Sequence, residues 1–200
     1  PAQGAGDPAG AEAAQPILAV QVAGSGPARI SADASLDASD GVPTYSASVE
    51  EAGFRFALVP EGEGLAAALV GTEGACGEAA VPAEVAFDGL VYPVARITAG
   101  AVKGDFLVSL AVPATVASID DGAFAGAPYL ESIQVAEGNL RYSSYDGMLF
   151  DADLTSLLLI PEGKQGAARI PTSAEEVPAS AFSHSAQVAS ISVEAGSAAF

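Results

Sequence analysis

Tryptophan is absent from this 200-residue chain, and cysteine and histidine occur once each, as Cys76 and His184. A lone cysteine makes no internal disulfide, so packing has to hold the fold. Cys76 is expected to be a small, partly buried residue with no special role. Aromatic residues are only 6% of the chain, and much of the 50% counted as hydrophobic is alanine, which buries little area. A core built from scattered Val, Ile, Leu and eight Phe suits a thin stack of short elements better than a thick globule.

Basic residues are also scarce: 7 Lys and Arg stand against 25 Asp and Glu, a formal net charge of −18. Such a surface repels nucleic-acid phosphate and anionic headgroups, which excludes nucleic acid as a partner. No apolar run approaches the ~20 residues that span a bilayer, so no membrane insertion is expected. The chain begins at Pro1 without a basic-then-apolar leader. The expectation is an exported protein whose signal peptide has either been removed or lies outside this sequence.

Residues 1–44 are dominated by Ala, Gly, Pro, Ser and Asp, with Arg29 as their only base. They read as a flexible tail or linker, with Pro16–Val22 long enough for one isolated strand. Residues 45–95 read as an N-terminal β cap. Phe54, Phe56 and Leu58 alternate with Arg55, Ala57 and Val59, the period of a strand with one apolar face. Turn residues 60–64 and a second alternation through Leu65, Ala67 and Leu69 make a β-hairpin.

Beyond the hairpin the chain repeats itself. Residues 94–102 align without a gap on 116–124 at an offset of 22, and 107–112 align on 130–135 at an offset of 23. A third copy, 177–193, lies 58 residues beyond the second. A period in the low twenties signals a solenoid with about one strand per repeat. Leu130, Ile133 and Val135 can bury only against a neighbouring coil, and Phe124 and Phe182 are large anchors after tight Ala-containing bends. Between the second and third copies, apolar runs 142–150 and 156–161 flank the polar loop 151–155, predicting a hairpin ended by Pro161.

These residues resemble the BspA-type leucine-rich repeats of bacterial surface proteins, whose motif reads I-x-x-x-A-F-x-x-C-x-x-L-x-x-I-x-I-P. Ile119, Ala123, Phe124, Leu130, Ile133 and Val135 match it. The longer family repeat, Y-S-S-x-D-G-x-L-F and then x-L-x-x-Y-P-x-G-K, is similar to Tyr142–Phe150 and Leu158–Lys164. The motif's cysteine is Ala127 or Ser185 here, and its closing proline is Ala136 or Glu194. The resemblance covers about residues 54–200. It implies a mostly β fold with short helical turns: a leucine-rich-repeat solenoid with an N-terminal β-hairpin cap, its repeats occupying 96–200. It also implies a secreted or bacterial cell-surface location and adhesion to an extracellular or host protein. Because 193–200 align on 135–142, the chain is expected to stop inside a repeat.

No enzymatic chemistry is expected. His184 falls where the preceding repeat has Gly126, an exposed loop position, and nothing brings it to Cys76; no G-x-S-x-G elbow frames a serine. Asp120-Asp121 becomes Pro178-Ala179 in the third copy, and Asp151-Ala152-Asp153 lacks the full Ca²⁺-loop spacing. No metal and no cofactor are therefore expected. Tyr142 aligns with Phe200, so its ring is expected to pack and its hydroxyl to be dispensable. Tyr129 and Tyr145 are the better-exposed aromatics for a partner contact. The outward strand positions should be Ser109, Ser132 and Ser190 with Ala111, Gln134 and Ser192, a small polar face. The candidate contact residues are thus Tyr129, Tyr145, Ser132, Gln134, Ser190 and Ser192. The function expected is a non-catalytic interaction or adhesion module; the alternative is a structural spacer displaying another domain.

Overall fold

A computed structural model describes residues 30–33, 46–49, 53–61, 64–72, 75–87, 90–104, 106–182, 185 and 187–193. The expected isolated strand at 16–22 and His184 lie outside the described residues. Strands dominate, and the single helical element among the described residues is one 3-10 turn at Ala179–Phe182.

Within the first 44 residues, Ile30–Asp33 (β1) is a strand, antiparallel to Ser46–Val49 (β2), which pairs in turn with Phe54–Glu61 (β3). The hairpin read from alternation is present: β3 runs antiparallel to Gly64–Gly71 (β4), with Phe56 opposite Leu69. Phe54, Phe56, Leu58, Ala67 and Leu69 are all buried. Gly77–Ala80 (β5) and Glu84–Phe87 (β6) follow. Leu90–Ile97 (β7) closes an antiparallel pair with β6 and runs parallel to β4.

The repeat register predicted from the sequence is the register of the strands. Ser118–Ile119 (β9) lies parallel to β7, with Arg96 beside Ser118 and Ile97 beside Ile119, an offset of 22. Ser132–Val135 (β10) lies parallel to Leu107–Val112 (β8), with Leu110 beside Ile133, an offset of 23. Strand β5 completes that ladder on the far side of β8. Equal motif positions therefore stack. Leu107, Leu110, Leu130 and Ile133 are fully buried in the core that these ladders share.

Side chains and turns lock the repeats together. Asn139 donates from Nδ2 to the carbonyls of Pro113 (3.1 Å) and Val116 (2.9 Å) of the coil before it. Its Oδ1 accepts from the N–H groups of Arg141 and Tyr142, both at 2.9 Å. Tyr142 is a correction: its hydroxyl is not dispensable, since its oxygen accepts the Ile119 N–H at 2.9 Å. The phenol oxygen thereby takes the place of a carbonyl beside β9, which phenylalanine cannot do.

The insertion folds as three strands, one more than the apolar runs indicate. Tyr142–Tyr145 (β11) pairs antiparallel with Met148–Asp151 (β12), which pairs antiparallel with Leu157–Leu159 (β13). The additional turn is Asp146-Gly147, with φ of 51° and 75°, the left-handed pair that two-residue hairpins favour. This tip stands between β10 and Gly166–Ile170 (β14). On one side the Ile133 N–H donates to the Gly147 carbonyl at 2.9 Å; on the other, the Arg169 N–H donates to the Asp146 carboxylate at 2.9 Å. Buried Lys164 clamps the tip, its ammonium donating to the Asp146 carbonyl and lying 3.2 Å from Oδ2. Gly163, one residue before, has to be glycine: a Cβ there would sit 2.5 Å from the Tyr129 carbonyl carbon.

Strand β12 has no solvent face at its centre. Leu149 belongs to the core that runs back to Phe54, while Met148 and Phe150 belong to a second core with Leu157, Ile160, Ala168 and Ala181. Val188–Val193 (β15) then pairs parallel with β14, Ala168 beside Ile191 at an offset of 23.

The loop after β12 is held by Asp151, whose Oδ1 accepts the N–H groups of Thr155 (2.7 Å) and Ser156 (3.0 Å) while Oδ2 accepts the Thr155 hydroxyl. Burial pushes this carboxyl up, but the hydrogen bonds from Ser156 and Thr155 outweigh it and hold Asp151 below the ordinary carboxylate range. A depressed acid contributes stability that is present above its unfolded pKa and disappears as pH falls through the folded one. Asp151→Asn is therefore expected to cost about 1 kcal/mol at pH 7, with the deficit shrinking as the pH drops below about 4. Urea unfolding at pH 7 and pH 3 checks this; a deficit independent of pH contradicts it. Ile133 and Ile191 share one motif position but are 0% and 49% exposed. Ile133→Ala should cost about 3 kcal/mol and Ile191→Ala under about 1 kcal/mol in the same measurement.

Candidate functional site

The outward positions do not form the continuous face expected of them. Ser109 is buried, enclosed between Glu78 on β5 and Ser132 on β10. Ser132 is half-buried because the hairpin tip rests on it: a Cβ on Gly147 would lie 3.0 Å from the Ser132 hydroxyl. Gln134 is exposed on the same strand. Ser190 and Ser192 are exposed on β15, in a separate two-stranded sheet with β14. The structure thus brings Ser132 and Gln134 together and keeps them apart from Ser190 and Ser192, with the Asp146-Gly147 tip and β14 between the two pairs.

The two tyrosines part company as well. Tyr129 is 58% exposed and sits directly over Gly163. Its backbone neighbour Leu130 accepts the Gly163 N–H at 2.8 Å, so the ring is carried by a rigid point of the stack. Tyr145 is half-buried and packs against the second core beside Met148, which leaves it less of a contact surface than its sequence position indicates.

The titratable candidates are dispersed. Cys76 is exposed rather than partly buried, in the stretch between β4 and β5. Among the described residues no three of His, Cys, Asp and Glu are grouped closely enough to hold a metal ion. The carboxylate of Asp151 is committed to its own loop. Asp120 pairs with Arg96 at 2.8 Å, across the same two coils that β7 and β9 align. No helix among the described residues is long and apolar enough to cross a membrane.

A feature that sequence reading missed is a cleft of about 650 Å³ between the second coil's turn and β13. Phe124, Leu149 and Leu157 line its apolar side, and Asp120, Asp121 and Glu162 stand at it; among the described residues no Lys or Arg does. Leu158, 40% exposed, also lines it. The signal available in the sequence was the insertion itself, which separates the second and third copies of a repeat that elsewhere stacks directly.

No protein-family model and no curated protein matches the sequence. Among solved structures the chain is similar to a leucine-rich repeat protein from Bacteroides capillosus, at 21% identity and a TM-score of 0.47, over 75% of this chain and 99% of that one. It is also similar to a leucine-rich repeat protein from Eubacterium ventriosum (21% identity, TM-score 0.46, 60% of this chain and 32% of that one). A leucine rich cell surface protein from Faecalibacterium prausnitzii is matched at 17% identity and a TM-score of 0.48, over 78% of this chain and 44% of that one. This chain spans about a third of the Eubacterium protein and under half of the Faecalibacterium protein. The structural neighbours are bacterial leucine-rich-repeat proteins.

Proposed function

We propose that this chain is a non-catalytic protein-interaction module, a stretch of leucine-rich-repeat solenoid that is secreted or displayed at a bacterial surface. There it adheres to an extracellular or host protein. The observation that carries the reading is the parallel register at 22 and 23 residues, β7 on β9 and β8 on β10. Stacked coils of this kind spend their apolar residues on one another and present their remaining positions as an extended surface. In this reading the hairpin β3–β4 covers the apolar end of the stack. The charge of −18 favours a basic partner and keeps the stack soluble. In this reading Tyr129 is the main anchor, with Gln134 and Ser132 beside the hairpin tip, Tyr145 a lesser contact, and Ser190 and Ser192 a second polar patch.

A second reading, a spacer that holds another domain away from the cell envelope, is favoured by the small side chains at those positions. Ser132, Ser190 and Ser192 offer little area for a tight contact.

The purified chain is to be tested against immobilised extracellular-matrix and serum proteins at physiological salt, with an unrelated protein of similar charge as control. Saturable capture of one or two proteins, weakened at least fivefold by Tyr129→Ala and by Gln134→Ala, is the expected outcome. Cys76→Ser should leave capture unchanged. Binding no stronger than that of the charge-matched control contradicts adhesion and leaves the spacer.

A further inference from the structure

The cleft beside the second coil exists because one set of coil-to-coil hydrogen bonds is interrupted there. In the first coil the N–H groups of Gly100, Val102 and Gly104 donate to the carbonyls of Gly122 (2.9 Å), Ala123 (2.8 Å) and Gly126 (3.1 Å) in the second. At the offset of 22, the corresponding donors of the second coil are Gly122, Phe124 and Gly126. Among the described residues none of them donates to a carbonyl of the third coil. The carbonyl that corresponds to Ala123 there is Ala181, and it accepts the Ile160 N–H of the insertion at 3.2 Å instead. Gly126 donates to the Glu162 carboxylate at 3.3 Å, a side chain standing in for the missing carbonyl. The N–H groups of Gly122 and Phe124 make no hydrogen bond among the described residues.

Those two donors belong to residues that line the cleft, beside Phe124, Leu157 and the exposed Leu158. The apolar side and the row of donors are what the previous coil presents to its neighbour, so the shape that fits is another length of extended backbone. Carbonyl oxygens are the groups that satisfy N–H donors in such a place. Among the described cleft residues no Lys or Arg opposes the acids Asp121 and Glu162, whereas Asp120 is already paired with Arg96. The volume falls within the ~300–1,000 Å³ range of ligand sites.

We propose that this cleft binds an extended basic peptide segment of a partner protein, in the manner of an added strand. Two of its carbonyls accept the Gly122 and Phe124 N–H groups. An aliphatic side chain lies against Phe124 and Leu158, and flanking Lys or Arg residues meet Asp121 and Glu162. The proposal rests on the interaction reading above and names the chemistry of the partner.

The test is a titration of the full ¹⁵N-labelled chain with the blocked pentapeptide Lys-Leu-Lys-Val-Lys, followed at backbone amides. Saturable shifts at Gly122 and Phe124 are expected. The peptides Ser-Leu-Ser-Val-Ser and Glu-Leu-Glu-Val-Glu should bind at least tenfold more weakly. Leu158→Lys and Asp121→Lys, both at exposed positions, should each weaken the basic peptide at least tenfold, while Leu90→Lys on β7, outside the cleft, should not. Absence of saturable shifts at those two amides overturns the proposal, and so does binding that Leu158→Lys leaves unchanged. Should Leu158→Lys still capture its protein partner as strongly as the parent chain, the cleft is overturned and the interaction reading stands. Should the peptide bind as described while no immobilised protein is captured, the cleft stands and adhesion to those proteins falls.

Discussion

A four-residue strand with both faces buried is the constraint on which the rest of this structure depends. Met148 and Phe150 point into one core and Leu149 into the other, because successive side chains of a strand alternate between faces. Strand β12 has to satisfy both faces at once, and its polar ends are held accordingly. Asp151 closes the loop at one end. At the other, the Asp146-Gly147 tip takes a rung between β10 and β14 under the Lys164 clamp. A buried lysine is tolerable only where its charge is paired and its protons are used, and Asp146 meets both needs.

The D-G and P-x-G-K elements acquire a physical meaning at these positions. Asp146 and Gly147 supply the left-handed turn, and the Asp146 carboxylate also serves Arg169 and Lys164. Gly163 is the one residue that can pass so close to the Tyr129 backbone. The spacing between the D-G and the P-x-G-K elements therefore reflects one clamp assembled from both ends of the insertion. The same insertion lies between the second and third copies of the repeat, and the cleft beside Phe124 opens where β13 meets the second copy.

The stacking was legible in the sequence because a parallel ladder copies its register directly into an offset. Ile97 and Ile119, or Leu110 and Ile133, are neighbours in space for the same reason that they align in the chain. Less was legible wherever a residue's role depends on what crosses over it. The hydroxyl of Tyr142 matters because Ile119 has an N–H to satisfy, and alignment with a phenylalanine conceals that. Ser132 alternates outward as expected, yet the hairpin tip lies on it. Asn139 joins two repeats through two hydrogen bonds from Nδ2 while Oδ1 holds its own turn, but no periodicity marks it. The extra turn at Asp146-Gly147 did carry a local signal; it sits inside a run whose apolar residues read as one continuous strand.

The central claim is that β12 joins the two cores mechanically, and hydrogen exchange of individual amides in a Met148→Ala variant tests it most directly. Met148 lies in the second core, whereas the Ile133 amide lies in the first and is held by the Gly147 carbonyl. The account predicts faster exchange at Ile133 as well as at second-core amides such as Ala168. Faster exchange at Ala168 with Ile133 unchanged would show that the cores open independently, contradicting the claim.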